Sequence, residues 1–353
     1  MLLHEHLENG ADKNPNFPFS EFEGNSLSYQ EANLLSNQLA NKLVSEGLEV
    51  GDRFAFLAKN CTEMAIMYYA ASKVGAVPVP LNYRLADQEW AYIINDSEAK
   101  LIIVKGNEYS DRINQISSEL KNIKKYISIS LDNSIERFHD FYDWLSDSSN
   151  EKPTLKIQEN DDVYQMYTSG TTGHPKGAVL LQRNVAANIR QYLNSLTLPR
   201  PSRTLLVAPM YHAAAMINMC GCIAIGGTIV IQEDFIPQDV VDCLANEKIT
   251  HTVLVPAMIQ ACLVSVPNVA SNEYNDLDQI HYGASPIAPE TLKKAMDVFK
   301  CKFGQGFGMT ETVAVICLMT PEEHIRAIEE KPELLKSCGR PAIDTQVEIR
   351  DEN

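Results

Sequence analysis

A doubly wound α/β fold, with mostly parallel sheets and helices on both faces, is what the order of elements along the chain predicts. Three observations carry that expectation. Short β-branched runs alternate with helix-length segments. Proline or a glycine-rich turn stops several of the strands at the carboxyl end, where open α/β sheets bind ligands. The 353 residues, 45% hydrophobic and 22% charged, are too many for one ordinary core and too apolar for disorder.

In chain order, Ser28-Tyr-Gln-Glu31 reads as a capping box that opens a helix. Ala32, Leu35, Leu39 and Leu43 then recur at helical spacing, and Gly47 ends the pattern. Arg53–Leu57 reads as a strand, and Thr62 to Val74 as a helix apolar on most sides, hence sandwiched. Val77-Pro-Val-Pro-Leu-Asn-Tyr-Arg84 holds two prolines, which places it at a sheet edge or in a loop. Leu101–Val104 and Lys125–Leu131 are further strands. The polar run Ser146–Pro153 separates a first α/β lobe, 1–153, from a second, 154–353.

Beyond it, Val163–Tyr167 is a strand leading into a glycine-rich loop, and Asn184 to Leu196 is helical. Thr204–Ala208 and Thr252–Val255 are strands stopped by proline, and Leu277–Ile280 is a strand that gives way to a turn from His281. Ala213 to Ile231 runs nineteen residues without charge, long enough to span a bilayer. Asn218, Gly221 and the Gly226-Gly227 break make a buried helix–turn–strand the better account.

Composition excludes several classes. The formal charge of −16, with 46 acidic residues spread along the chain, disfavours nucleic acid and anionic membranes as partners. Of eight cysteines only Cys220 and Cys222 are close in sequence, so reduced thiols and a cytoplasmic setting are expected rather than a disulfide framework or zinc site. The amino terminus lacks the basic start and apolar segment of a signal peptide.

The chemistry concentrates in two stretches. Tyr167-Thr-Ser-Gly-Thr-Thr-Gly-His-Pro-Lys-Gly-Ala178 packs hydroxyls, glycines and Lys176 directly after an apolar run. Glycines let backbone N–H groups approach phosphate oxygens, hydroxyls add neutral donors and the lysine adds charge. A plain surface turn has the same composition. A Walker loop is ruled out, because Gly177 stands where its Ser or Thr would hold magnesium. Gly304-Gln-Gly-Phe-Gly-Met-Thr-Glu-Thr312 is the second stretch. Its alternating glycines form a thin wall, Phe307 offers a stacking face, Thr310 a donor and Glu311 a hard oxygen ligand; a glycine loop capped by threonine is the bland alternative.

The first stretch resembles, nearly letter for letter, the Y-T-S-G-T-T-G-x-P-K-G signature of the adenylate-forming enzymes, and the chain is most similar to an acyl-CoA synthetase for fatty or aryl acids. The second resembles the family's Y-G-x-T-E, with Phe307 in place of tyrosine. The resemblance implies activation of a carboxylic acid by ATP and Mg2+ to acyl-AMP, then thioester formation with coenzyme A or a carrier protein. It implies a catalytic set of Thr168, Lys176, His212, Thr310 and Glu311, with Glu311 on the metal. It assigns nucleotide contacts to Thr168, Ser169, Gly170, Thr171, Thr172, Gly173 and Lys176, to Gly283, Ala284 and Ser285, and to Gln305, Gly306, Phe307, Gly308, Met309 and Thr310. The acid would lie against His212, Ala214, Met216, Ile217, Gly283, Gly306, Val313 and Ala314. No carboxylate follows Tyr211-His212, unlike in the amino-acid-activating members, so the implied acid is not an amino acid. Gly339-Arg-Pro341 and Val347–Asp351 resemble the approach to a ribose-binding aspartate, a hinge and a small lid domain with a catalytic lysine. The sequence stops before them, so the expectation is a large N-terminal domain without its lid and with weak turnover; a residual ATP- or acyl-binding module is the non-enzymatic alternative.

Overall fold

The computed structural model of the protein describes residues 1–130, 135, 137–168, 173–194, 198–199 and 201–351. By its contacts the chain forms two compact units, Met1–Ala186 and Ala187–Asn353.

The first unit begins with α1 (Leu3–Lys13), the antiparallel pair β1 (Pro18–Phe22) and β2 (Asn25–Ser28), and α2 (Tyr29–Ser45). The predicted capping box opens α2: Ser28 Oγ accepts from Glu31 N at 3.2 Å, and Glu31 Oε2 accepts from Ser28 N at 2.8 Å. Such a cap contributes about 1 kcal/mol. There follow β3 (Arg53–Leu57), α3 (Thr62–Val74), β4 (Val77–Pro80), α4 (Asp87–Asp96), β5 (Leu101–Lys105), α5 (Asn107–Gln115), β6 (Lys125–Ile129), β7 (Phe138–Asp140) and α6 (Phe141–Leu145). The five strands pair in parallel in the order β4-β3-β5-β6-β7. Helix α3 is buried from Met64 to Val74, the sandwiched helix its composition predicts. The proline-bearing strand β4 takes the edge, where missing N–H donors cost no ladder bonds on the open side.

Next comes an antiparallel hairpin, β8 (Asp162–Thr168) and β9 (Lys176–Leu181), and then α7 (Gln182–Asn194). The units divide inside α7, not at the polar run near residue 153. The physical reason is that the hairpin belongs to the first unit. Arg53 on β3 donates to Gln165 at 3.2 Å and pairs with Asp162 at 3.3 Å, and Gln182 donates to Ser72 at 2.9 Å. The polar run itself is strapped to α2 by Asn37, Gln38 and Asn41, which donate to the carbonyls of Asn150, Leu145 and Ser149.

The second unit holds β10 (Arg203–Leu206), α8 (Ala213–Ala224), β11 (Thr228–Ile231), α9 (Pro237–Asn246), β12 (His251–Val253), α10 (Pro256–Ser265), β13 (Gln279–Gly283), α11 (Pro289–Phe299), β14 (Lys302–Phe307), β15 (Cys317–Met319), α12 (Pro321–Glu329) and β16 (Arg340–Pro341). Within this unit the order is β16-β15-β14-β13-β12-β10-β11, parallel from β11 to β14 and antiparallel at β15 and β16. One face of the sheet, with Leu205, Ile280, Tyr282 and Phe303, forms a continuous apolar core with Val240, Ile259, Leu292 and Phe299 from α9, α10 and α11. The opposite face receives Tyr192 of α7 and Asn218 of α8. Uncharged residues 213–231 form α8, a turn and β11, and among the described residues no helix is long and apolar enough to cross a membrane. Strand β13 runs three residues further than its sequence suggests: Gly283 still pairs with Gly306, and the turn starts at Ala284, whose φ is +65°.

Candidate active site

In the first unit the β8–β9 hairpin presents the glycine- and hydroxyl-rich loop. Ser169, Gly170, Thr171 and Thr172 lie outside the described residues. The residues on either side of them are placed by the ladder: Thr168 pairs with Lys176, and Tyr167 with Gly177. Lys176 is therefore the first residue of a strand rather than a loop residue, and it is exposed. Residues paired in register share a face of the hairpin, so the hydroxyl of Thr168 and the ammonium of Lys176 stand on one side of the loop's neck. Gly173 follows the loop at φ +111°.

Helix α4 grips both limbs of the hairpin. Tyr167 Oη donates to Asp96 Oδ2 at 2.6 Å and accepts from Gln165 Nε2 at 3.1 Å. Burial and the Asp96 carboxylate both raise the phenol's pKa, so it stays protonated and keeps donating. On the other limb His174 stacks on Tyr92, centroids 4.8 Å apart and planes at 22°. Neither Asp96 nor Tyr92 was legible as part of the site: each is more than seventy residues from its partner, and nothing in its local pattern marks it.

In the second unit the remaining residues gather at carboxyl ends of strands. His212 is the N-cap of α8, with φ −95° and ψ 144°, is exposed, and packs its ring 4.3 Å from that of Tyr211. Two residues on, Ala214 is exposed, whereas Met216 and Ile217, about one turn on, are buried. At the end of β13, Gly283 pairs with Gly306 of β14, and Ala284 and Ser285 follow as an exposed turn. Phe307, at the end of β14, is 44% exposed, which leaves a ring face open for stacking. Met309 is also exposed, and its backbone N and O both bond the Thr312 hydroxyl, at 3.2 and 2.9 Å. That closes the short 3-10 turn Thr310–Thr312 and turns Glu311 outward.

Val313 is buried with φ +70°, and the chain then doubles back over Gly308. A Cβ at Gly308 would stand 1.3 Å from the Ala314 carbonyl oxygen, so only glycine fits. Asn188 of α7 locks this return, donating to Val315 O at 2.7 Å and accepting from Val315 N at 3.1 Å. Gln305 lies on the other face of β14, where Tyr282 Oη donates to its side chain at 3.4 Å. It is thus directed away from the face that Gly304 and Gly306 share. Among the described residues no three His, Cys, Asp or Glu side chains cluster to hold a metal by themselves.

The chain is 29% identical over 329 residues to the long-chain-fatty-acid–CoA ligase FadD13 of Mycobacterium tuberculosis, covering 93% of this chain and 62% of that protein. It is likewise 29% identical over 337 residues to the fatty acid–[acyl-carrier-protein] ligase ScoC of Streptomyces coeruleorubidus, covering 94% of this chain and 62% of ScoC. It therefore spans about three-fifths of the length of these relatives. Its fold matches the inhibitor-bound N-terminal domain of FACL13 from Mycobacterium tuberculosis with a TM-score of 0.87 and 25% identity, covering 97% of this chain and 82% of that one. The AMP-binding enzyme family matches residues 7–353, nearly the whole chain, and the protein belongs to that family.

Proposed function

We propose that this chain forms the nucleotide- and acid-binding part of an enzyme that activates a carboxylic acid with ATP, giving acyl-AMP and pyrophosphate, and passes the acyl group to coenzyme A. The observation that carries the reading is the β8–β9 register, which sets Thr168 beside Lys176 at the neck of a loop rich in glycine and hydroxyls. Carboxylate and triphosphate are both anions, so the site's task is to offset their repulsion and hold them in line. Lys176 and the loop would hold the β- and γ-phosphates. Thr310 would donate to the α-phosphate, and Phe307 would stack on the purine. The residues fit Mg2+ in the way nucleotide enzymes usually hold it, by one carboxylate plus phosphate oxygens: Glu311 is exposed on a short 3-10 turn. Bound there, the ion would neutralise charge on the leaving pyrophosphate.

The acid would lie along α8 and the Gly283–Gly306 pair, with Ala214, Met216, Ile217, Val313 and Ala314 supplying apolar contact near the carboxyl group and His212 at the junction with the nucleotide. A carrier-protein acceptor is the second reading, favoured by the likeness to ScoC. The chain spans 62% of the length of FadD13 and of ScoC.

Pyrophosphate exchange screened over fatty, aryl and amino acids tests the reading. Exchange with fatty or aryl acids is expected, lowered about tenfold to a hundredfold by Lys176→Ala, since a charge-assisted contact contributes about 1.5–3 kcal/mol. Exchange that needs no carboxylic acid, or that Lys176→Ala leaves intact, contradicts it.

A further inference from the structure

Tyr92 and Asp96 are four residues apart on α4 and so share one face of that helix, where each takes hold of a different limb of the β8–β9 hairpin. Asp96 accepts the 2.6 Å bond from Tyr167 of β8, and Tyr92 stacks on His174, two residues before β9. Side chains alternate along a strand, so Gln165 and Tyr167 stand on one face of the hairpin. Thr168 and its ladder partner Lys176 stand on the other. The groups proposed to meet phosphate are thus at the front of the hairpin, and the grip of Asp96 on Tyr167 is at its back.

Gly177, the ladder partner of Tyr167, shows how closely the back is packed. A Cβ there would stand 2.3 Å from Gln165 Nε2 and 2.9 Å from the Tyr167 ring. The glycine next to Lys176 is therefore explained by side chains lying flat across β9, without reference to a ligand. From Tyr167 the bonds continue inward. Gln165 Nε2 donates to Tyr167 Oη at 3.1 Å, and Arg53 Nε of β3 donates to Gln165 Oε1 at 3.2 Å. Arg53 also pairs with Asp162 at the start of β8. One line of hydrogen bonds, Asp96–Tyr167–Gln165–Arg53, thereby ties the back of the hairpin to α4 at one end and to the five-stranded sheet at the other, all within the first unit.

We infer that Asp96, acting through Tyr167, is a positioning residue for Thr168 and Lys176, so that affinity for the triphosphate is set in part from the back of the hairpin. This rests on the reading of the hairpin as a triphosphate cradle. Lys176 is exposed, and an exposed lysine is oriented by little besides the strand that carries it. How well its ammonium meets a phosphate then depends on how firmly β9 is held, and small misplacements of a positioned group are costly. Asp96 holds β9 only indirectly, through the Tyr167 ring that lies on Gly177.

Calorimetric titration of this chain with a non-hydrolysable ATP analogue and Mg2+ tests the inference without requiring turnover. Asp96→Ala is expected to weaken binding about threefold to tenfold, less than loss of a buried charged bond would, because Asp96 is exposed. Asp96→Asn keeps an oxygen that accepts from the phenol and should stay within about twofold of the parent. Tyr167→Phe keeps the ring over Gly177 but loses the hydroxyl; it should match Asp96→Ala, and the two changes together should cost no more than either alone. A Lys176→Ala background separates positioning from general support of the fold: with no ammonium to place, Asp96→Ala should weaken binding there by less than about twofold. A loss undiminished in that background, or an affinity that neither Asp96→Ala nor Tyr167→Phe changes, overturns the positioning role while leaving acid activation standing. Failure of the parent chain to bind the analogue overturns the cradle reading itself, and the positioning role with it.

Discussion

Gly308 illustrates how one position can be dictated by chain crossing rather than by a ligand. The glycines of the second stretch read in sequence as a thin wall for a nucleotide. For Gly308 the structure gives a more local reason, the return of the chain through Ala314 across its Cα. Gly308→Ala is therefore expected to destabilise the second unit by more than the ~1 kcal/mol of an ordinary glycine substitution, because backbone and not a flexible side chain must move. Urea unfolding measures it, and a midpoint equal to that of the parent would refute the crossing. His281 makes the complementary point from the other side: its ring occupies the space that a Cβ at Gly304 would need, a constraint set by the register of two strands and not by any local pattern.

At the scale of elements, local patterns were legible and pairings were not. Ser28 and Glu31 announce α2 because a capping box is contained within four residues. Thr62–Val74 announces α3 because its apolar residues are contiguous. The β8–β9 hairpin was hidden because its loop carries the chemistry, so that Lys176 read as loop when it is strand. The contacts of α4 with Tyr167 and His174 were hidden for a different reason: they are set by tertiary packing, and neither Asp96 nor Tyr92 carries a motif. Asn188 belongs to the same group, 127 residues from the Val315 it clamps. Asn188→Ala removes both partners of a buried backbone segment and should cost about 2–4 kcal/mol for two such bonds. Amide exchange localises the effect: residues near Val315 should lose protection before β13 does. Uniform loss across the unit would show that Asn188 supports the whole core instead.

For the molecule as a whole, buried histidines are expected to make stability fall as soon as pH drops below neutrality. His251 is pushed down to about 4, chiefly by burial, and His281 and His324 are shifted the same way. A histidine whose folded pKa is depressed binds its proton more readily in the unfolded chain, so stability falls as pH drops below the unfolded value of about 6.5 and goes on falling toward the folded one. Each fully buried histidine contributes at most about 1.4 kcal/mol per pH unit within that window. The urea midpoint should fall between pH values of about 7.5 and 5.5, and His251→Gln should flatten the slope. A midpoint that is constant or higher at the lower pH contradicts the neutral, buried assignment.

The central claim is that the segments on either side of residue 170 and those around residue 308 serve one nucleotide. A crystal structure of this chain with a non-hydrolysable ATP analogue and Mg2+ tests it most directly. The account predicts one nucleotide with its phosphates on Thr168 and Lys176, the metal on Glu311 and the purine against Phe307; a nucleotide held by only one of the two segments, with the other facing solvent, would contradict it.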